Sequence, residues 1–280
     1  MILRARAVPS DAMTARTRIV VSAGILCLAW WLSREVRHLS AFVHTNPGRL
    51  GFEMMGIGIG LAILAIGVAF ALPGPMTRRL GLGKSRLPVG AMIALAIGTL
   101  GLSFAVDSAM ALTLPRAIEH SVATGISRGL GAARGNDFAI ALLGTAVAPA
   151  IGEELLCRGL LQRALVLVLG PAAAIAGASL FFGWLHGELV HGAIAALLGA
   201  YLGVAAYWSD STRPSIAAHM TNNFVALLGS SGLVSISLPA VPGLCAGLGL
   251  AAIGLGWAWR TRPRGEEQPA LQPEGNAADA

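Results

Sequence analysis

Charged residues are scarce in this 280-residue sequence, where Asp, Glu, Lys and Arg together make up 12%. An ordinary soluble domain carries about 25%, so the sequence does not fit that class. Hydrophobic residues reach 55% and the mean hydropathy is +0.70. Long apolar stretches separated by short basic loops predict an integral membrane protein built as an all-α helical bundle, because a helix satisfies its own backbone hydrogen bonds in lipid.

Lysine and cysteine are also rare. Lys84 is the only lysine among the 20 basic residues, and the remaining arginines are scattered near helix ends rather than grouped with aromatic residues. We therefore expect no nucleic-acid partner. Together with much Ala and Gly, the preference for Arg favours a bacterial source. Cys27, Cys157 and Cys245 lack CxxC spacing and predict packing rather than disulfides or zinc binding.

Apolar runs predict about eight membrane spans. The first three cover about residues 19–32, 54–72 and 87–106; the fourth begins near Phe138, the fifth after Gly170-Pro171, the sixth covers about 189–208, the seventh begins near Pro214 and the eighth ends at Trp259. The first run lacks the small-residue cleavage site of a signal peptide, so we treat it as retained. The intervening stretch 107–137 is predicted to be a loop with a short interfacial helix.

The motifs and spans divide the chain into four parts. Residues 1–137 form N-terminal transmembrane helices and a loop, 138–230 a helical core that carries the polar motifs described below, 231–260 a C-terminal transmembrane helix, and 261–280 a polar tail predicted to be disordered. With eight spans and a cytoplasmic N-terminus, 14 basic residues lie on the cytoplasmic side and 6 outside. The positive-inside rule therefore places both termini in the cytoplasm, in a bacterial inner membrane.

The predicted fourth span carries two adjacent acids, Glu153 and Glu154. Ionisable groups inside a membrane span are costly and indicate function. Arg158 lies four residues after Glu154, on the same helical face, where it can pair with that carboxylate. Glu153 points about 100° away and is left free to act as a general base near neutral pH. A structural ion pair between helices is the alternative interpretation.

Two further spans carry polar pairs at four-residue spacing. Phe182 and His186 share a face of the fifth span, whereas Glu188 and His191 lie nearer a helix end and are predicted to be interfacial. His219 and Asn223 share a face of the seventh span. Donors of this kind can stabilise a developing oxyanion. Ordinary packing and interhelical hydrogen bonding are the alternatives for these pairs.

Depth along the helices decides whether these pairs can meet. Glu153 lies about 15 residues before the Gly170-Pro171 turn and His186 about 15 after it, or about 22 Å along each helix at about 1.5 Å per residue. The fourth helix would then be about thirty residues long and would protrude from the membrane. His219 lies about 10 Å inside its helix. The motifs are therefore predicted to converge on a cavity in the cytoplasmic half of the membrane.

The ordered set Glu153-Glu154-x-x-x-Arg158, Phe182-x-x-x-His186 and His219-x-x-x-Asn223 resembles the CAAX prenyl protease and bacteriocin-processing (CPBP) family. Its members are type II CAAX protease relatives, now treated as glutamate-type intramembrane proteases. The segment RGLLQ after the glutamates and the SI-x-x-H-x-x-N-N segment also look like the family. The resemblance covers about residues 138–230.

The resemblance implies a role for each matching residue. Glu153 with His186 would activate water, His219 and Asn223 would stabilise the oxyanion, and Glu154, Arg158 and Phe182 would support them. Cys157 departs from the family pattern, which usually has an aromatic residue there. A thiol could indicate a cysteine protease, but with no evident base beside it we interpret Cys157 as a packing residue.

The resemblance also implies a partner. The substrate would be a membrane-embedded or lipid-anchored protein tail in the bilayer, and we expect no cofactor and no metal. Two other classes stay open. One is a non-catalytic membrane scaffold or immunity protein of the same fold. The other is a zinc-dependent membrane hydrolase using His186, His219 and a glutamate, whose residue types suit zinc.

Overall fold

The computed structural model describes residues 46–72, 74–235 and 238–263. These residues form helices and no strand, so the predicted all-α fold is confirmed for them. The helices are α1 (Pro47–Ala71), α2 (Met76–Arg79), α3 (Val89–Thr113), α4 (Pro115–Glu119), α5 (Val122–Leu130), α6 (Gly135–Leu169), α7 (Pro171–Leu185), α8 (Leu189–Ser209), α9 (Arg213–Ser230) and α10 (Ala240–Thr261).

Five of these helices are long and apolar enough to cross a membrane: α1, α3, α6, α8 and α10. They correspond to the predicted second, third, fourth, sixth and eighth spans. The count of eight is not confirmed. With 15 residues, α7 is about 22 Å long at 1.5 Å per residue, shorter than a hydrocarbon core of about 30 Å. The 18 residues of α9 include the polar motif. The predicted first span and residues 264–280 of the predicted tail lie outside the described residues.

The stretch 107–137 is more helical than predicted. Helix α3 continues through Asp107 to Thr113, so the third span is longer than expected and Asp107 belongs to it. The short α4 follows, and Ser121 then begins α5 by accepting a hydrogen bond from the Thr124 backbone N–H at 3.2 Å. A short amphipathic helix after the third span agrees with the sequence prediction.

The long helix α6 carries the two glutamates. Its 35 residues span about 52 Å at 1.5 Å per residue, more than the hydrocarbon core, as the sequence predicts. Two π-helical segments, Leu142–Val147 and Leu155–Gln162, flank the short α-helical stretch that holds Glu153 and Glu154. Irregular π turns of this kind occur frequently at functional sites. Helix α6 ends at Gly170, whose φ of 76° suits glycine.

The helices pack in pairs around α6 and α9. Helix α1 lies along α6, α3 lies along α10, and α7 lies along α8. Helix α9 contacts α3, α6 and α8. Gly101 shows why α3 and α10 approach closely, because a Cβ there would lie 2.8 Å from the Gly247 carbonyl oxygen.

The basic loop after α2 is hydrogen-bonded to the connection between α8 and α9. The Thr212 hydroxyl donates to the Leu80 carbonyl at 2.7 Å, and the Thr212 backbone N–H donates to Gly81 at 2.8 Å. Arg163 of α6 forms an ion pair with Asp210 in the same connection, at 3.0 Å. These contacts fix where α9 begins relative to α6, and therefore the level at which His219 stands.

Candidate active site

Glu154 and Arg158 form a fully buried ion pair on α6. Arg158 Nη1 donates to Glu154 Oε1 at 2.7 Å, as their four-residue spacing allows, and both side chains are 0% exposed. Arg158 Nη2 donates to the Gly199 carbonyl of α8 at 2.9 Å, and the guanidinium stacks over the Phe182 ring at 4.5 Å. The Glu154 carboxylate neutralises the Arg158 charge, and the guanidinium has further partners. These contacts offset the large free-energy cost of burying the two charges.

Glycines on α8 make room for this pair. A Cβ on Gly199 would lie 3.0 Å from Arg158 Nη2 and 3.1 Å from Phe182 Cδ1, tighter than ordinary contact. One turn further along, Gln162 Nε2 donates to the Gly203 carbonyl at 2.9 Å. The four-residue spacing of Arg158 and Gln162 thus matches the spacing of the two glycines. Helices α6 and α8 are joined by two side-chain hydrogen bonds in register.

His219 of α9 lies between the two glutamates. Its Nδ1 is 3.2 Å from Glu154 Oε1, and its Nε2 is 3.8 Å from Glu153 Oε2. The Glu154 carboxylate accepts from Arg158, so we assign the proton on this side of the ring to His219 Nδ1. Glu154 therefore orients the imidazole, and Nε2 faces Glu153. The side chain of Glu153 is 15% exposed, whereas that of Glu154 is 0% exposed.

His186 stands at the C-terminal end of α7, with one ring nitrogen already used. Its Nδ1 is 2.8 Å from the Phe182 carbonyl oxygen, and a carbonyl can only accept. Nδ1 therefore carries the proton, and Nε2 keeps a lone pair. The Phe182 ring packs edge-on between His186, at 4.9 Å, and His219, at 5.7 Å between ring centroids. Phe182 thus contacts both histidines and Arg158.

Glu188 and His191 lie at the start of α8. Glu188 caps α8, with its carboxylate accepting from the backbone N–H groups of Val190 at 2.6 Å and His191 at 2.9 Å. The His191 ring packs edge-on against His186 with centroids 4.6 Å apart, and it lines the same cavity. The turn after α7 is short, so the first turn of α8 comes back beside His186.

Asn223 is held by a carbonyl of α6 whose usual partner, the N–H four residues on, is missing. Pro149 has no N–H to offer Thr145, four residues before it. Asn223 Nδ2 donates to the Thr145 carbonyl oxygen at 3.0 Å, and Asn222 Nδ2 donates to Asn223 Oδ1 at 3.4 Å. One N–H of the Asn223 amide is therefore engaged, and the second stays available to a ligand.

These side chains share one cavity of about 730 Å³. Its lining includes Phe182 and all four residues predicted to be catalytic, which are Glu153, His186, His219 and Asn223. Glu154 and Arg158 lie behind that surface. Within the described ranges, no group of three His, Cys, Asp or Glu side chains is arranged to hold a metal ion. The cavity therefore presents two carboxylates, three imidazoles and two amides to whatever enters it.

Sequence reasoning did not place Asn222 and His191 in the lining, nor the polar residues Thr99, Ser103 and Asp107 of α3. Asn222 could have been found from its position beside Asn223. His191 lies five residues after His186, and no spacing rule connects residues on either side of a turn. Cys157 lies in the apolar core at 0% exposed, as predicted, whereas Cys245 is exposed on α10 and Cys27 lies outside the described residues.

The fold and the cavity define a class: a helical membrane protein with a glutamate–histidine–asparagine site between its helices. Residues 135–225, about a third of the chain, match the family model described as Type II CAAX prenyl endopeptidase Rce1-like. This match confirms the resemblance to the CAAX protease family seen in the motifs, which is a family of membrane proteases. No curated protein and no solved structure matches the chain.

Proposed function

We propose that this protein is an intramembrane endopeptidase that hydrolyses a peptide bond in a membrane-embedded or lipid-anchored protein tail. The observation that carries the proposal is the unequal use of the two glutamates. Glu154 is buried and engaged by Arg158 and His219, whereas Glu153 lines the cavity and is partly exposed. A carboxylate that reaches a cavity can accept a proton from water there.

In the proposed reaction, Glu153 is the general base. A water molecule between Glu153 and the substrate carbonyl loses a proton to the carboxylate as its oxygen attacks the carbon. The lone pair on His186 Nε2 can accept a hydrogen bond from the same water and so orient it. The proton held by Glu153 then passes to the leaving amine when the carbon–nitrogen bond breaks. The products are a carboxylate and an amine.

His219 and Asn223 are proposed to act on the tetrahedral intermediate. The Asn223 amide has one free N–H beside the cavity, because the other is held by Thr145. The His219 ring is oriented by Glu154 and presents Nε2 on the side of Glu153; Nε2 acts as a donor there when the ring carries a proton on both nitrogens. Donors fixed before the reaction stabilise a developing oxyanion without reorganising during the step. This division of roles matches what the family resemblance implies.

The location of the cut follows from where water can reach. A polar cavity inside a membrane protein is tolerated when it lines a water-filled space. The basic loop after α2 and the α8–α9 connection lie together, and the positive-inside rule assigns such a basic surface to the cytoplasm. His219 stands six residues, about 9 Å, along α9 from this surface, so we propose cleavage in the cytoplasmic half of a bacterial inner membrane. In such a cell a peptide precursor, an anti-sigma factor or a sorting signal is a suitable substrate.

The proposal is tested by comparing membrane peptides from a strain lacking the gene, complemented with the wild-type protein or with Glu153→Gln. Candidate peptides are then incubated with purified protein in ¹⁸O-labelled water. Hydrolysis by water places the label in the new carboxyl terminus, and we expect this with the wild-type protein only. Equal cleavage by the Glu153→Gln protein would remove the glutamate mechanism.

The same experiment separates the two other classes. A scaffold would leave the peptide pattern and the cellular phenotype unchanged by Glu153→Gln. A zinc hydrolase would lose activity with a chelator and regain it with added zinc, and zinc would be found in the purified protein. We expect chelation to leave cleavage unchanged.

A further inference from the structure

A row of polar side chains on α3 lines the cavity outside the segment that matches the family. Thr99, Ser103 and Asp107 follow one another at four-residue spacing, and all three line the cavity that holds Glu153. Four-residue spacing puts them on one face of the helix. We call these three residues the α3 polar stripe. It covers about 12 Å, because eight residues rise about 1.5 Å each.

The residues of the α3 polar stripe differ in their exposure and in whether their polar groups already have a partner within the protein. The Thr99 hydroxyl is buried and donates to the Leu95 carbonyl of its own helix at 2.9 Å. Ser103 is half-buried, and Asp107 is exposed. Among the residues that the structure describes, none forms an ion pair with Asp107. Its carboxylate is therefore available to a charge brought by a ligand.

The charge of the cavity lining is one-sided. Asp107 and Glu153 supply carboxylates, whereas no lysine or arginine of the described ranges lines the cavity. Arg158, the guanidinium nearest to the site, lies behind Phe182 and is occupied by Glu154 and Gly199. A free C-terminal carboxylate entering this cavity would meet acids without a cation to pair with. The lining therefore favours a positively charged group over a negatively charged one.

We propose that Asp107 is a specificity subsite for a positively charged group of the substrate, a Lys or Arg side chain or an amine, on an otherwise apolar segment. The lining around the α3 polar stripe is mainly apolar, with Phe104, Ala111 and Ile118 nearby in sequence, and so suits such a segment. An extended chain rises about 3.3 Å per residue, so the stripe accommodates about four substrate residues. This subsite rests on the proposed peptidase function for its meaning, but its binding preference can be measured without turnover.

The test uses fluorescent apolar peptides of about 20 residues. Within a set the peptides differ at one position, which holds Lys, norleucine or Glu. In successive sets this position is moved along the peptide. Binding is measured to full-length protein carrying Glu153→Gln, so that no cleavage occurs. At one placement we expect the Lys peptide to bind about fivefold more tightly than the norleucine peptide, the range of a partly solvated charge pair. Adding Asp107→Asn should abolish that preference, and Asp107→Lys should transfer it to the Glu peptide.

Glu53→Gln is the matched control, since Glu53 is a carboxylate of α1 that pairs with Arg49 and does not line the cavity. It should leave the preference for Lys unchanged. Equal binding of the three peptides at every placement, no binding at all, or a preference that survives Asp107→Asn would overturn the subsite. Failure of the peptidase function gives another pattern: the Lys preference is present, yet protein with native Glu153 cleaves none of the peptides.

Discussion

The two walls of the cavity are built differently. On the α6 and α9 side, Glu154 contacts Arg158 at 2.7 Å and His219 at 3.2 Å, and Asn223 is held by Thr145. On the α3 side, Asp107 is exposed and forms no ion pair with any described residue. The side chains of the first wall are held by contacts with one another, whereas the Asp107 carboxylate of the second wall has no such contact among the described residues.

This difference separates chemistry from recognition. Groups that act on a transition state must be fixed in advance by partners of their own. Groups that select a ligand must keep their hydrogen-bonding or charge capacity until the ligand arrives. The first wall lies in residues 135–225, which match a protease family, and the α3 polar stripe lies outside them. We infer that the proposed reaction is combined here with a recognition surface that lies outside the family-matching segment.

The largest expected effect comes from Glu153→Gln. Removal of the general base should lower kcat by about 10²–10⁴-fold. Because Glu153 lines the cavity and is not the partner of Arg158, the folded protein should keep a Tm within about 2–4 °C of the wild type, the shift that 1 kcal/mol produces in a chain of this size. Initial rates and thermal unfolding in the same detergent measure both quantities. A large fall in Tm would mean that Glu153 also stabilises the fold.

Arg158→Met should have the next largest effect, and on stability rather than on kcat alone. It leaves the Glu154 carboxylate fully buried without its cation, which costs about 3–5 kcal/mol. The free energy of unfolding in mixed micelles is the measurement. The double variant Glu154→Gln, Arg158→Met is the control, and it should recover part of the loss because no buried charge is stranded. A loss below about 1 kcal/mol in the single variant would contradict the buried pairing.

His219→Ala and Asn223→Ala test the two proposed oxyanion donors that α9 contributes to the first wall. Removing one oxyanion donor lowers kcat by about 10²–10³-fold in enzymes where this has been measured. KM should change little, since these donors act on the transition state more than on the bound substrate. The separate kcat and KM values decide the matter. Loss of binding with an unchanged kcat would assign the two residues to substrate recognition instead.

The sequence predicted this wall better than it predicted the bundle. Four-residue spacing brings Glu154 to Arg158, and the ordered motifs place Glu153, His186, His219 and Asn223 on one cavity. Spacing rules work here because each motif lies within one helix. Spacing rules do not predict contacts between helices, such as those of Glu154 with His219 and of Arg158 with the Gly199 carbonyl.

The span count and the α3 side were harder to predict. Apolar composition alone does not distinguish a spanning helix from α7, which is apolar but has 15 residues. Asp107 was assigned to a loop because a charge normally ends a span, yet α3 continues six residues beyond it. The π-helical segments of α6 also left no clear signal, apart from Pro149. That part of α6 packs against α1 and α9, and contacts between helices cannot be predicted from the local sequence.

Pro149→Ala gives the smallest expected effect and tests whether the hydrogen bond to Thr145 positions Asn223. Alanine supplies the N–H that proline lacks, so the Thr145 carbonyl gains a helical partner and Asn223 must share its acceptor. One hydrogen bond contributes about 0.5–1.5 kcal/mol, so kcat should fall by up to about tenfold while Tm stays the same or rises. Pro171→Ala is the matched control, since Pro171 begins α7 at a position where no backbone N–H is needed. A kcat that is unchanged in Pro149→Ala would show that Asn223 does not depend on Thr145 for its position, and the amide would then have to be fixed by Asn222 alone.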